Sequence, residues 1–186
     1  MIFRPFLVNV NESNAFVIAC EETGEALLVD AGDFDTHIED FLHEKRLRLT
    51  TVFITHDHYD HTGGLSSIIE RYDVQVLSGR GGSGGVKGKK VKHGDEVRIG
   101  SLTGKVLATP GHTADSVSLV FPGMVFTGDA LFSGSIGGVS SPQDGKLEVD
   151  HIRRNIFSLP DEYEIHPGHG PSSTVGIERR YNPFFV

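Results

Sequence analysis

From His56 to His61 the chain reads His-Asp-His-Tyr-Asp-His, three imidazoles and two carboxylates in one short segment. That density of donors exceeds what a surface loop needs and reads as a metal site. In extended backbone, residues two apart point the same way, so His56 and His58 can address one ion. Asp60 and His61 can then address a second. A turn into the helix expected from Thr62-Gly63 would let the two ions lie several ångströms apart.

Four donors from one loop cannot complete two coordination spheres, and the sequence offers more at turns that follow a strand and contain glycine. His112 lies in Thr109-Pro110-Gly111-His112-Thr113, Asp129 in Thr127-Gly128-Asp129, and His169 in His166-Pro167-Gly168-His169-Gly170. Glycine supplies the tight turn that delivers a side chain at a strand's carboxyl end. Imidazole and carboxylate without thiolate suit zinc, iron or manganese, with zinc the first choice. Cys20, the one cysteine, sits in the apolar run Asn14 to Cys20, where it reads as a core residue and forms no disulfide.

The elements that must position these residues follow from periodicity. Phe3 to Val10, Asn14 to Cys20 and Ala26 to Asp30 read as strands of an antiparallel meander. Asp35-Thr36 caps a helix carrying Ile38, Phe41 and Leu42 at helical spacing. Thr51 to Thr55 is a short β-branched run that ends in the histidine cluster, and Gly63 to Tyr72 sets Leu65, Ile68 and Ile69 on one helical face. After a strand at Val74 to Ser78, a second strand-rich stretch runs through Glu96 to Ile99, Leu102 to Ala108, Ser116 to Phe121 and Met124 to Thr127. Ile152, Ile156 and Leu159 mark the last substantial helix, and Tyr163 to His166 the final strand. Two halves, each with strands first and a helix later, predict an α/β chain built as an αββα sandwich.

Between Gly79 and Gly85 a formal G-x-G-x-x-G match follows a strand, yet Lys87 to Val91 leads into another strand instead of a helix. A dinucleotide fingerprint must open a helix, so the segment reads as a mobile loop. Its alternative is a flap whose Arg80, Lys87, Lys89 and Lys90 meet an anionic group.

The 186 residues, 38% hydrophobic and 23% charged, are expected to form one domain over residues 1–186. A formal charge of -8 argues against nucleic acid as the partner, because that binding neutralises phosphates, and favours a small-molecule substrate. No apolar run approaches the roughly 20 residues needed to span a bilayer, and no charged-then-apolar leader pattern opens the chain, so the expected compartment is the cytoplasm.

These segments together resemble the metallo-β-lactamase superfamily, in its glyoxalase II and hydroxyacylglutathione hydrolase branch. The resemblance rests on H-x-H-x-D-H, T-P-G-H-T, the T-G-D-A-L-F block at Thr127 to Phe132 and P-G-H-G-P at Pro167 to Pro171. Glu178 to Phe184 is also similar to short bacterial members. It implies a four-layered αββα sandwich in which His56, His58 and His112 hold one ion, Asp60, His61 and His169 the other, and Asp129 bridges them. It further implies a hydroxide shared by the ions, oriented by Asp60, that attacks a thioester carbonyl. Short members usually read G-S-I-G-R-x-D where this chain has Gly134-Ser135-Ile136-Gly137-Gly138-Val139-Ser140, which implies a different or smaller substrate. An alternative that shares the motifs is a persulfide dioxygenase, with one iron on His56, His112 and Asp129. His37, His43, His93, His151 and His166 match no ligand position and are expected to be ordinary surface or core residues.

Overall fold

From Ala15 to Ala19 no face of the strand is left for water. Ala15, Val17 and Ala19 point one way, Phe16 and Ile18 the other, and all are buried. Strands apolar on both faces must be covered on both. The computed structural model describes residues 1–186 and shows how. The first half runs β1 (Ile2–Leu7), β2 (Asn14–Ala19), β3 (Glu25–Val29), α1 (Thr36–Glu44), β4 (Arg48–Ile54), α2 (Tyr59–Thr62), α3 (Leu65–Arg71) and β5 (Gln75–Ser78), then three short strands, β6 (Gly82–Ser83), β7 (Val86–Lys87) and β8 (Lys89–Lys90). The second runs β9 (Glu96–Ile99), β10 (Leu102–Ala108), β11 (Val117–Phe121), β12 (Met124–Gly128), β13 (Leu131–Phe132), β14 (Ser135–Ile136), α4 (Pro142–His151), a π-helical turn at Ile152–Ile156, β15 (Glu164–Pro167), β16 (Ser173–Thr174) and α5 (Val175–Tyr181).

Two six-stranded sheets result, ordered β1-β2-β3-β4-β5-β8 and β16-β15-β12-β11-β10-β9. The expected meander is present, since β1 pairs β2 and β2 pairs β3 antiparallel; β3, β4 and β5 then run parallel, as do β12 and β15. Three apolar layers separate four structural ones. Ile38, Leu42, Leu65 and Ile68 of the first helices pack on Ala15, Val17, Leu28, Val52 and Ile54. Phe16, Ile18, Leu27, Val29 and Phe53 face Ile99, Val106, Leu119, Phe121 and Phe126 between the sheets. Ile152, Ile156, Phe157 and Val175 cover Leu107, Val125 and Ile165 on the far side. The architecture is an α/β, four-layered αββα sandwich.

Helix α1 has 9 residues, fewer than the roughly 12–15 that a free helix needs in water, so packing must complete it. Its start is set as the sequence suggests: Asp35 Oδ1 accepts from the backbone N–H groups of His37 at 2.9 Å and Ile38 at 3.3 Å. Helix α4 begins ten residues before the apolar marks at Ile152 and Ile156, because Ser141 caps it and Pro142 takes its first turn. Its residues before His151 are mostly polar, so periodicity gave no warning of it.

The Gly-rich segment, expected as a loop, contains a short hairpin. β6 and β7 pair antiparallel, and Asp57 ties the hairpin down by accepting from Arg80 Nη1 and from the Gly84 N–H, both at 2.8 Å. These contacts are long-range and leave no periodic trace in the sequence.

Candidate metal centre

Five strands end at one pole of the sandwich. The residues just beyond β3, β4, β10, β12 and β15 are Asp30, Thr55 to His61, Thr109 to His112, Asp129, and Gly168 with His169. Parallel pairing brings β3 beside β4 and β12 beside β15, and the Val117 N–H donates to the Thr55 carbonyl at 2.9 Å, joining the ends of the two sheets. The open end of such strands is where α/β sheets place their sites.

All seven candidate residues meet there. His58 Nδ1 lies 3.0 Å from His56 Nε2 and 3.0 Å from His112 Nε2. On the other side His169 Nε2 lies 3.3 Å from Asp60 Oδ2, and His61 completes that group. Asp129 reaches both: its Oδ2 is 3.9 Å from His56 Nε2, 3.7 Å from His112 Nε2 and 3.7 Å from His169 Nε2, while its Oδ1 is 3.3 Å from His61 Nε2. His56 and His61 form the buried floor, and His58 and Tyr59 the exposed mouth. His37, His43, His93, His151 and His166 join none of these groups.

The hydrogen-bond network assigns the ring protons. His112 Nδ1 sits 2.7 Å from the Gly138 carbonyl oxygen, which can only accept, so Nδ1 carries the proton and Nε2 keeps its lone pair. His61 Nδ1 lies 2.9 Å from Asp30 Oδ2. His56 Nδ1 lies 3.1 Å from Thr55 Oγ1, whose own proton goes to Asp30 Oδ2 at 2.9 Å. Asp30 therefore orients His61 directly and His56 through Thr55. His56 Nε2 and His112 Nε2 are left facing inward, each 3.0 Å from His58 Nδ1, a set of donors that one cation could share.

Two further features fit the same donor set. His61 Nε2 and Asp129 Oδ1 are buried without a hydrogen-bond partner, and a buried orphan of this kind calls for an ion or water. Burial pushes His56 down to about 2 against the pull of Asp129, so it stays neutral. For His61 burial also opposes charge, but the Asp30 and Asp129 carboxylates outweigh it and raise it to about 10. Burial would raise Asp129, yet His61 and then His56 and His169 hold it down at about 2. Asp129 is thus an anion at working pH, and a divalent cation would take the place of the His61 proton.

The sequence reading missed Asp30, Thr55, Asn11, Asn14 and Glu148. Asp30 carried a usable signal, since it too ends a strand and precedes Ala31-Gly32. Glu148 carried none. It lies on a polar helix yet is wholly buried, both carboxylate oxygens lack partners, and burial pushes it up to about 8. Its stem packs behind the His112 turn, where a Cβ at Gly111 would fall 2.2 Å from Glu148 Cβ.

Comparison with known families settles the lineage, because the sequence model of the metallo-β-lactamase superfamily matches residues 8–82 and 77–169. The chain belongs to the metallo-β-lactamase superfamily. Within it, the chain is 34% identical over 161 residues to the hydroxyacylglutathione hydrolase of Idiomarina loihiensis, covering 86% of this chain and 62% of that protein. It spans 58–63% of the length of the first three such relatives. Among solved structures it is similar to ETHE1 from Myxococcus xanthus, at 35% identity and a TM-score of 0.87 over 98% of this chain and 84% of that one. It is also similar to TTHA1623 in a di-iron-bound form, at 28% identity and a TM-score of 0.83 over 97% and 99% of the two chains. As a superfamily member similar to hydroxyacylglutathione hydrolases, the chain brings together His and Asp groups that could hold metal ions. No helix is long and apolar enough to cross a membrane.

Proposed function

We propose that this chain is a metal-dependent hydrolase of a small, hydroxyacylglutathione-like thioester. In this reading His56, His58 and His112 hold one divalent ion, Asp60, His61 and His169 hold another, and Asp129 joins them, with zinc the first choice of metal. The observation that carries it is the meeting of three imidazole nitrogens, with His56 Nε2 and His112 Nε2 each 3.0 Å from His58 Nδ1, next to a second donor group that the same Asp129 reaches.

Bound ions would supply Lewis acidity toward the acyl carbonyl and a water whose pKa falls from about 15.7 towards neutrality. The chain's own residues do the rest. His56 and His112 turn their Nδ1 atoms to Thr55 Oγ1 and the Gly138 carbonyl, which leaves Nε2 of each ring facing inward to bind a cation. Asp60 is half-buried beside His169 and orients the attacking water by accepting its hydrogen bond. The water oxygen adds to the acyl carbon while its proton passes to solvent, the carbon–sulfur bond breaks, and the leaving thiolate takes a proton from solvent through the exposed mouth at His58 and Tyr59. The partner in this reading is a small-molecule substrate, with neither nucleic acid nor a membrane.

A second reading is supported by the likeness to ETHE1: a persulfide dioxygenase with one iron on His56, His112 and Asp129. Elemental analysis of protein purified without added metal separates the two. Two equivalents of zinc, with thiol release from a hydroxyacylglutathione, are expected. One equivalent of iron with oxygen uptake on glutathione persulfide would overturn the hydrolase.

A further inference from the structure

We infer that residues 11–14, where the turn after β1 enters β2, form a clasp that sets the occupancy of the Asp60, His61 and His169 ion, and with it whether the centre holds one metal or two. The inference rests on the dinuclear reading above. Asn11 Nδ2 donates to Asp60 Oδ2 at 3.2 Å, the same oxygen that faces His169. Ser13 Oγ donates to the Asp60 carbonyl at 2.7 Å, and Ser13 pairs with His169 in an isolated antiparallel bridge. The Asn14 N–H donates to the Gly168 carbonyl at 2.7 Å, while Asn14 Nδ2 donates to the carbonyls of Pro167 at 3.0 Å and Gly170 at 2.9 Å. One four-residue turn thus grips both segments that present the second group of donors, which lie far apart in the chain.

The first group does not depend on it. His56 is oriented by Thr55 and His112 by the Gly138 carbonyl, both outside the turn. His61 has Asp30 behind it. Asp60 and His169 have no such buried orienter, so the clasp is what holds them in register. The turn also keeps a sparsely populated conformation: Asn11 at φ 52°, ψ 23° and Glu12 at φ 52° are consecutive left-handed residues without a glycine. Asparagine tolerates that region and glutamate does so poorly, and such backbone persists only where its surroundings over-determine it. Here the bonds to Asp60, Pro167, Gly168 and Gly170 do so.

Stepwise zinc titration against a chromophoric chelator tests the clasp, with thermal unfolding as a check on folding. Asn11→Gly keeps the left-handed backbone and removes only the amide; Asn14→Ala removes the two carbonyl contacts. In each, the second dissociation constant is expected to rise about 10-fold or more, as for other groups that orient ligands, with the first within about twofold. Should Asn14→Ala fail to fold, Asn11→Gly decides alone. Equal weakening of both steps, or no weakening of the second, overturns the clasp. Wild-type protein that saturates at one ion overturns the dinuclear reading itself, and the clasp with it.

Discussion

His61 Nδ1 lies 2.9 Å from Asp30 Oδ2, with both side chains buried. Asp30 also accepts from the Thr55 N–H at 2.8 Å and from Thr55 Oγ1, so one carboxylate aims imidazoles of both donor groups. Asp30→Asn keeps the shape but puts an amide donor where acceptors are needed. Metal affinity is expected to fall 10–100-fold, the usual cost of losing a partner that orients a ligand. Elemental analysis after exhaustive dialysis checks it, and unchanged metal content would show that Asp30 orients nothing of consequence.

Asp129 reaches both groups within 4 Å, through Oδ2 to His56, His112 and His169 and Oδ1 to His61. Asp129→Ala should therefore lower bound metal at both positions together. If the variant still binds two ions per chain after dialysis, Asp129 does not join them.

Much of this was legible because strand periodicity and turn glycine act locally. His56, His58, Asp60 and His61 declared themselves by density, and His112, Asp129 and His169 by following a strand and a glycine. What stayed hidden depends on contacts between distant segments. Asp30 looked like a strand end because its partners, Thr55 and His61, lie some 25 to 31 positions away. Asn11 carried no pattern at all, since its role exists only once Asp60 is folded beside it. Glu148 hid on a polar helix whose buried side is set by the His112 turn.

Gly168 lets the backbone run close against the donors. A Cβ there would lie 2.2 Å from Asp129 Oδ1 and 2.6 Å from His61 Cε1. Gly168→Ala must push one of them aside, at a cost of about 1–3 kcal/mol for an overpacked site. The expected result is a folded protein, by circular dichroism, that has lost most of its bound metal. Retention of full metal content would mean that the β15 end yields more easily than its packing implies.

His166 gives the pH dependence a source remote from the donors. Its ring packs against Phe3, Phe16 and Phe126 at centroid distances of 4.7, 5.5 and 5.3 Å, and Nδ1 lies 2.9 Å from Ser172 Oγ. Burial disfavours the imidazolium, and the Glu164 carboxylate, 3.4 Å from Nε2, offsets this only in part, so the pKa falls below its ordinary value. A base with a depressed folded pKa takes up its proton more readily when unfolded. Its contribution is therefore complete above the unfolded value of about 6.5 and is lost as pH falls below it. His166→Phe suits the aromatic surroundings and removes the titration, leaving exposed Ser172 to water. Between about pH 7.5 and about pH 5.5, either side of that ordinary value, the wild-type unfolding midpoint should fall more steeply than that of the variant. Parallel slopes would place the acid sensitivity of this fold in other groups.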